Sequence, residues 1–243
     1  MPDWLTARPI AHRGLHDAAN GAIENTASAF EAAIAHNYAI ETDLQLSADG
    51  EAMVHHDDAL GRLTDGEGRL DAIPAAKLKQ VPFKATGDRM LALGDLCALV
   101  GGRATLVIEL KSRFDGDLRL PRRTAAVLQD YKGPMAVMSF DFGQITALRD
   151  FAPTLLRGLV ASRSTPTRES HPSTGTAARF VLQALAARLQ FLAYRVQDLP
   201  APVPSFARNV LGLPLLTWTV RAPDDQRRAA QHADQIIFES LRP

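Results

Sequence analysis

Short apolar runs recur along the chain, and the segments between them space their apolar residues three or four apart. The runs are PIA (9–11), YAIETD (38–43), ATLVIEL (104–110), MAVMSF (135–140), LLRGLV (155–160), LQFLAYRV (189–196), LPLLTWTV (213–220) and DQIIFE (234–239). Their lengths and bounding residues predict about eight buried strands. The intervening ENTASAFEAAIAHN, MLALGDLCALVGG, LPRRTAAVLQDY, DFGQITALRDF, TGTAARFVLQALAARL, SFARNVL and APDDQRRAAQHA predict helices. Strand and helix alternating at this pace predict a parallel sheet with crossover helices, and about eight such units in ~250 residues is the size of a closed (β/α)8 TIM barrel. An open doubly wound sheet is the alternative. Against it, no glycine-rich phosphate loop follows any of the strands.

One interval breaks the rhythm. Roughly sixty residues separate the second strand from the third, and SADGEAMVHHDDALGRLTDGEGRLDAIPAAKLKQVPF, with its Gly and Asp turns and short AMV run, predicts an insertion at about residues 47–90 beside the barrel mouth. The polar segment SRSTPTRESHPSTG (162–175) follows the fifth strand and belongs on the carboxyl-terminal rim, either as a mobile lid or as a plain solvated loop.

Within the second run, AIETDLQ (39–45) places Glu41 and Asp43 two apart, so a strand points both carboxylates to one side. Buried charges need partners, and either an Arg or Lys or a metal ion meets that need. In a barrel, the carboxyl ends of the strands converge on one pocket. His12 and Arg13 end the first strand, Glu41 and Asp43 the second, Glu109 and Lys111 the third, and the insertion brings His56 and Asp57 close behind the second. An isolated E-x-D is most simply part of an ion-pair network. Glu109 changes the count: three carboxylates against Arg13 and Lys111 leave an excess of negative charge, and an all-oxygen set suits one divalent cation, Mg²⁺ or Ca²⁺, better than zinc. Such cations keep positions open to phosphate oxygens, so a phosphodiester is a natural ligand. Histidines beside the site suit proton transfer near neutral pH. In HHDD the side chains of His55 and His56 alternate, so only one of them faces the pocket. Trp218 ends the seventh strand, as packed barrel residue or as apolar wall for substrate.

Composition narrows the partners. Lys plus Arg and Asp plus Glu each total 27, so no global field draws the chain to nucleic acid or an anionic membrane, and an anionic substrate must be caught locally. No run approaches a membrane span and the N-terminus lacks a signal-peptide pattern, which makes a cytoplasmic location the expectation. Cys97, the single cysteine, reads as a small hydrophobe on a helix face. His36 and His232 lie in last helical turns, His16 and His171 in polar loops, and Arg122-Arg123 and Arg227-Arg228 on solvated helix faces.

Read in order, IAHRG, ENTASAF, ETDLQLSADG, MVHHDDALGRLT, VIELK, MSF and TWTV resemble the glycerophosphodiester phosphodiesterase family, over most of the chain and most densely in residues 9–64. The resemblance implies one barrel domain over residues 1–243, with a small insertion after the second strand. The family pattern V-x-H-D-x-x-L-x-R falls on Val54, His56, Asp57, Leu60 and Arg62, making His56 the active-site candidate and His55 the bystander. It likewise implies Glu41, Asp43 and Glu109 as metal ligands, His12 and His56 as the acid/base pair, and Arg13 and Lys111 as the groups that meet phosphate. Glu24 and Asn25 match the family's E-N-T, although Glu24 also reads as a helix-start acid. The implied reaction is metal-dependent cleavage of a glycerophosphodiester to glycerol 3-phosphate and an alcohol, with His12 as base and His56 as acid. Water and a neighbouring substrate hydroxyl are both open as attacker. A lysophospholipid or sphingomyelinase-D-like phosphodiesterase and a non-catalytic phosphodiester-binding protein are the alternatives. Four departures stand out: Ile23 for a proline before E-N-T, Asn37 for a glycine, IIFESLRP for an I-T-D-x-P ending, and Arg221 for an asparagine after TWTV. The last two are expected to bear on the alcohol group rather than on the metal site.

Overall fold

The computed structural model describes residues 2–163 and 176–243. Its strands are β1 (Ile10–Ala11), β2 (Ala39–Leu46), β3 (Ala52–Val54), β4 (Leu106–Leu110), β5 (Met135–Ser139), β6 (Leu156–Ala161), β7 (Phe191–Arg195), β8 (Leu215–Val220) and β9 (Gln235–Phe238). The helices are α1 (Ala27–Ala35), α2 (Ala75–Leu78), α3 (Leu93–Val100), α4 (Arg119–Leu128), α5 (Phe142–Phe151), α6 (Thr176–Ala187), α7 (Pro202–Asn209) and α8 (Pro223–His232). Of the segment 162–175, residues 164–175, with His171, lie outside the described residues.

The sheet closes on itself. Its order is β1-β9-β8-β7-β6-β5-β4-β2-β3, and β1 also pairs with β2, so every strand except β3 belongs to a parallel barrel and the open-sheet alternative is excluded. Period-2 alternation sorts the side chains of each strand. One set, including Ile10, Ala39, Val107, Ala136, Leu156, Phe191, Leu216 and Ile237, forms a single apolar cluster inside the barrel, and Leu5 from the N-terminal turn joins it. The other set, including Ile40, Ile108, Val137, Leu159, Leu192 and Leu215, packs outward against Phe30, Leu96, Leu128, Leu148 and other helix residues. This two-sided burial is why the strands read as continuous apolar runs.

The insertion adds β3 antiparallel to β2, with Leu44 opposite Val54. Beneath it Ile23, Met53, Leu70, Leu78, Phe83 and Met90 make a small core of their own, so the segment is anchored beside the mouth. Arg123 of α4 grips Glu51 bidentately at 2.8–2.9 Å and Arg122 lies over the Phe151 ring at 4.3 Å, so these two arginines do more than solvate a helix face. Burial pushes the Cys97 thiol up to about 11, as suits an inert side chain. Among the described residues no helix is long and apolar enough to cross a membrane.

Two glycines test the packing. A Cβ on Gly158 of β6 would overlap the Phe191 ring, which fills the barrel beside it, whereas one on Gly94 of α3 would meet nothing within 4 Å. Gly158→Ala is expected to destabilise by about 1–3 kcal/mol, while Gly94→Ala should be neutral or stabilise by up to ~1 kcal/mol. Thermal melts of the two variants check both signs.

Candidate active site

The apolar filling of the barrel stops one layer below its carboxyl-terminal mouth, where the same inward positions become polar. On β2 the inward series Ala39, Glu41, Asp43 changes character at its second member, and on β4 Val107 is followed by Glu109 and then Lys111. The β2–β4 register sets Asp43 opposite Glu109. As a result Glu41, Asp43 and Glu109, all buried, each present an oxygen within 4.8 Å of the others.

Cations meet some of this charge. Lys111 Nζ lies 2.7 Å from Asp43 Oδ1 and 2.6 Å from Glu109 Oε1, and Arg13 Nε lies 3.3 Å from Asp43 Oδ2. Asn25 Nδ2 donates to Asp43 Oδ2 at 2.9 Å, while the Asn25 Oδ1 atom accepts from Thr42 Oγ1 at 2.8 Å. Burial acts to raise Asp43, but Lys111 and Arg13 outweigh it and hold the carboxyl well below its ordinary range. Glu41 differs: burial, reinforced by Asp43 and Glu109, raises it well above the usual carboxylate value, although the Arg13 N–H donates to its Oε2 at 3.0 Å. Burial also raises Glu109. Asp43 is therefore ion-paired, as the first of the two sequence alternatives expects, and the three acids outnumber Lys111 and Arg13, the two cations beside them. Three convergent carboxylates, oxygen donors only, fit a divalent metal ion.

The HRG turn brings the next groups in. Gly14 has φ +80°, and a Cβ there would come within 2.9 Å of Ala29, so this close approach to α1 requires glycine. Arg13 also takes a left-handed φ of 56°, which aims its N–H at Glu41 while its Nη1 donates to Glu24 at 2.8 Å. His12 Nε2 lies 3.9 Å from Glu41 Oε2, and Nδ1 lies 2.9 Å from Glu239 Oε2. Burial lowers the His12 pKa below that of a free imidazole, the Glu239 contact opposing it only in part.

The second imidazole is His56. Its Nδ1 lies 2.8 Å from Asp57 Oδ1, and Arg62 Nε holds Asp57 Oδ2 at 2.5 Å. Burial acts to raise Asp57, but the bonds from Arg62 and His56 bring it down to about 2. His56 lines the mouth, whereas His55 is buried edge-on to Phe83, as the alternation through HHDD predicts.

All eight predicted site residues gather here. His12, Arg13, Glu41, His56, Glu109, Lys111 and Trp218 line a cavity of about 650 Å³, with Asp43 directly beneath Arg13 and Lys111. Trp218 packs edge-on to Phe140 at 5.6 Å, as the packed-residue reading expects, and its ring lies on the cavity lining. Sequence reasoning missed the residues behind these. Asn25 clamps Asp43, Glu24 joins Arg13 to Arg62, and Glu239 with Arg221 meets His12. Signals existed in E-N-T and in the Asp and Arg of V-x-H-D-x-x-L-x-R. The two departures at residues 221 and 239 were read toward the alcohol group, yet Glu239 touches a predicted catalytic histidine.

A sequence profile of the glycerophosphoryl diester phosphodiesterase family matches residues 12–238. A glycerophosphodiester phosphodiesterase of Caldanaerobacter subterraneus subsp. tengcongensis is 30% identical over 161 residues, which span 62% of this chain and 65% of that enzyme, just under two thirds of its length. The barrel is similar to that of an Oleispira antarctica phosphodiesterase solved with its product sn-glycerol-3-phosphate, at TM-score 0.79 and 21% identity over 97% of this chain and 94% of that one. It is also similar to a glycerophosphodiester phosphodiesterase of Thermotoga maritima, at TM-score 0.73 and 23% identity over 94% and 92%. The profile runs from the histidine that ends the first strand to the close of the last, across every residue of the carboxylate cage, and on that extent the chain belongs to the glycerophosphoryl diester phosphodiesterase family.

Proposed function

We propose that this chain hydrolyses glycerophosphodiesters to glycerol 3-phosphate and an alcohol, using one divalent cation, Mg²⁺ or Ca²⁺. The observation that carries this reading is the buried Glu41, Asp43 and Glu109 group set between two carboxylate-bound imidazoles. The product held by the Oleispira enzyme agrees with it. A cation held by the three carboxylates supplies charge neutralisation for the phosphate oxygens. The protein's own groups supply the rest. Arg13 and Lys111 line the cavity and offer donors to the phosphate, and both stay protonated because neighbouring carboxylates outweigh the cost of their burial. Burial keeps His12 neutral and so ready to accept the proton of the attacking hydroxyl at Nε2. His56, with Nδ1 given to Asp57, has only Nε2 left to protonate the departing alkoxide. Met138, Phe140, Val160 and Trp218 form an apolar wall for the non-phosphate part of the substrate.

His12→Ala and His56→Ala should each lower kcat by about 10²- to 10⁴-fold on glycerophosphocholine or a similar diester, and His55→Ala should do far less. Near-wild-type turnover in either of the first two removes that residue from the chemistry. Lysophospholipid assayed in parallel separates the lipid-cleaving alternative.

The carboxylates predict a pH signature. Without cation, Glu41 and Glu109 bind protons more tightly than in the unfolded chain, so their stabilisation is complete below the ordinary value of 4.5 and fades as pH rises through their folded values. Asp43, held low, keeps its contribution throughout that rise. Chelator-treated protein should be inactive and should lose Tm as pH rises above the ordinary carboxylate value through the folded values of these two acids, and saturating Mg²⁺ or Ca²⁺ should flatten that loss and release protons on binding. A flat profile without cation, or binding with no proton release, would count against the cage.

A further inference from the structure

Glu239 Oε2 lies 2.9 Å from His12 Nδ1 and 2.9 Å from Arg221 Nη2. The backbone brings the three together. His12 N donates to Phe238 O and Glu239 N to Val220 O, each at 3.0 Å, so β1, β9 and β8 deliver their following residues to one point on the rim. An ionised carboxylate can only accept, which requires the imidazole hydrogen to be on Nδ1. Nε2 then carries the lone pair, on the side of the ring that faces Glu41.

The second histidine repeats this design. His56 gives Nδ1 to Asp57, and Asp57 is gripped by Arg62. Histidine, carboxylate and arginine thus stand in the same order on both flanks of the cage. On the His12 side both outer members, Glu239 and Arg221, depart from the family wording, and they depart as an ion pair. A longer acid and a cation that holds it form one compensated unit.

We propose that Glu239 is the positioning residue that fixes His12 as the Nδ1–H tautomer with Nε2 turned to the substrate, and that Arg221 holds Glu239 in that pose. The inference rests on the role of His12 proposed above. Removing the carboxylate frees the ring to rotate and to take the opposite tautomer, a loss felt in the proton-transfer step rather than in binding.

Glu239→Ala is expected to lower kcat at least about 10-fold with KM and cation affinity within about twofold of wild type. The isosteric Glu239→Gln, which keeps an acceptor oxygen, should recover part of that loss, and Arg221→Lys should retain more activity than Arg221→Ala. Glu239→Ala added to His12→Ala should slow the enzyme no further, because both changes remove one function. NMR of ¹⁵N-histidine-labelled full-length protein should show the Nδ1–H form of His12 in wild type and its loss in Glu239→Ala. Wild-type kcat in Glu239→Ala, a change confined to KM or cation affinity, or additive losses in the double variant would overturn the assignment. If His12→Ala is itself fully active, it is the catalytic reading that fails, and the two failures are distinguishable.

Discussion

Burying three carboxylates side by side is the constraint around which the barrel mouth is organised. Two like unit charges about 4 Å apart repel by ~4 kcal/mol at the effective dielectric of such sites, so each acid needs an answer from its surroundings. Asp43 receives the most, from Lys111, Arg13 and Asn25, and is the anchored member. The guanidinium that answers it then needs its own partner. Arg13 binds Glu24 at 2.8 Å, Glu24 binds Arg62 at 2.6 Å, Arg62 binds Asp57 at 2.5 Å, and Asp57 meets His56 at 2.8 Å. Charges alternate in sign along this path from the cage to the second imidazole. Orientation of His56 is thereby tied to the acids, and Gln45 of β2 holds its backbone as well, donating to the His56 carbonyl at 2.9 Å.

The division of β2 and β4 into an apolar lower part and a polar end makes this affordable. Ile10, Val107, Leu216 and Ile237 fill the lower barrel with side chains that need no partners, so the inward-facing carboxylates are confined to the rim, where residues from neighbouring loops complete their bonds. Gly158 shows how full that interior is, since even a methyl group has no space beside Phe191. A rigid floor is what allows side chains on several different strands to hold fixed distances above it.

Much of the architecture was legible along the chain because period and length are local properties. The eight apolar runs became the barrel strands, the alternation in AIETDLQ set Glu41 with Asp43, and that in HHDD allowed only one histidine at the pocket, which the family pattern made His56. The break in rhythm marked the insertion, though its antiparallel pairing to β2 through three residues, AMV, was too short to announce a strand partner. What stayed hidden were contacts made only by closure. His12 and Glu239 stand 227 positions apart, and although a closed barrel makes the first and last strands neighbours, nothing in either neighbourhood says that these two side chains meet. Asn25 stood in the E-N-T match, but its letters do not say that the buried amide donates to Asp43 and accepts from Thr42.

That closure has a consequence for how the molecule comes into being. The imidazole of His12 finds its carboxylate 227 positions later, so every barrel strand must have been synthesised before the two can meet. Contacts of such long sequence separation are slow to form. Until they do, the nascent chain carries its acids and its histidines without the arrangement that brings them to one rim, and the order of synthesis alone sets when the site can first assemble.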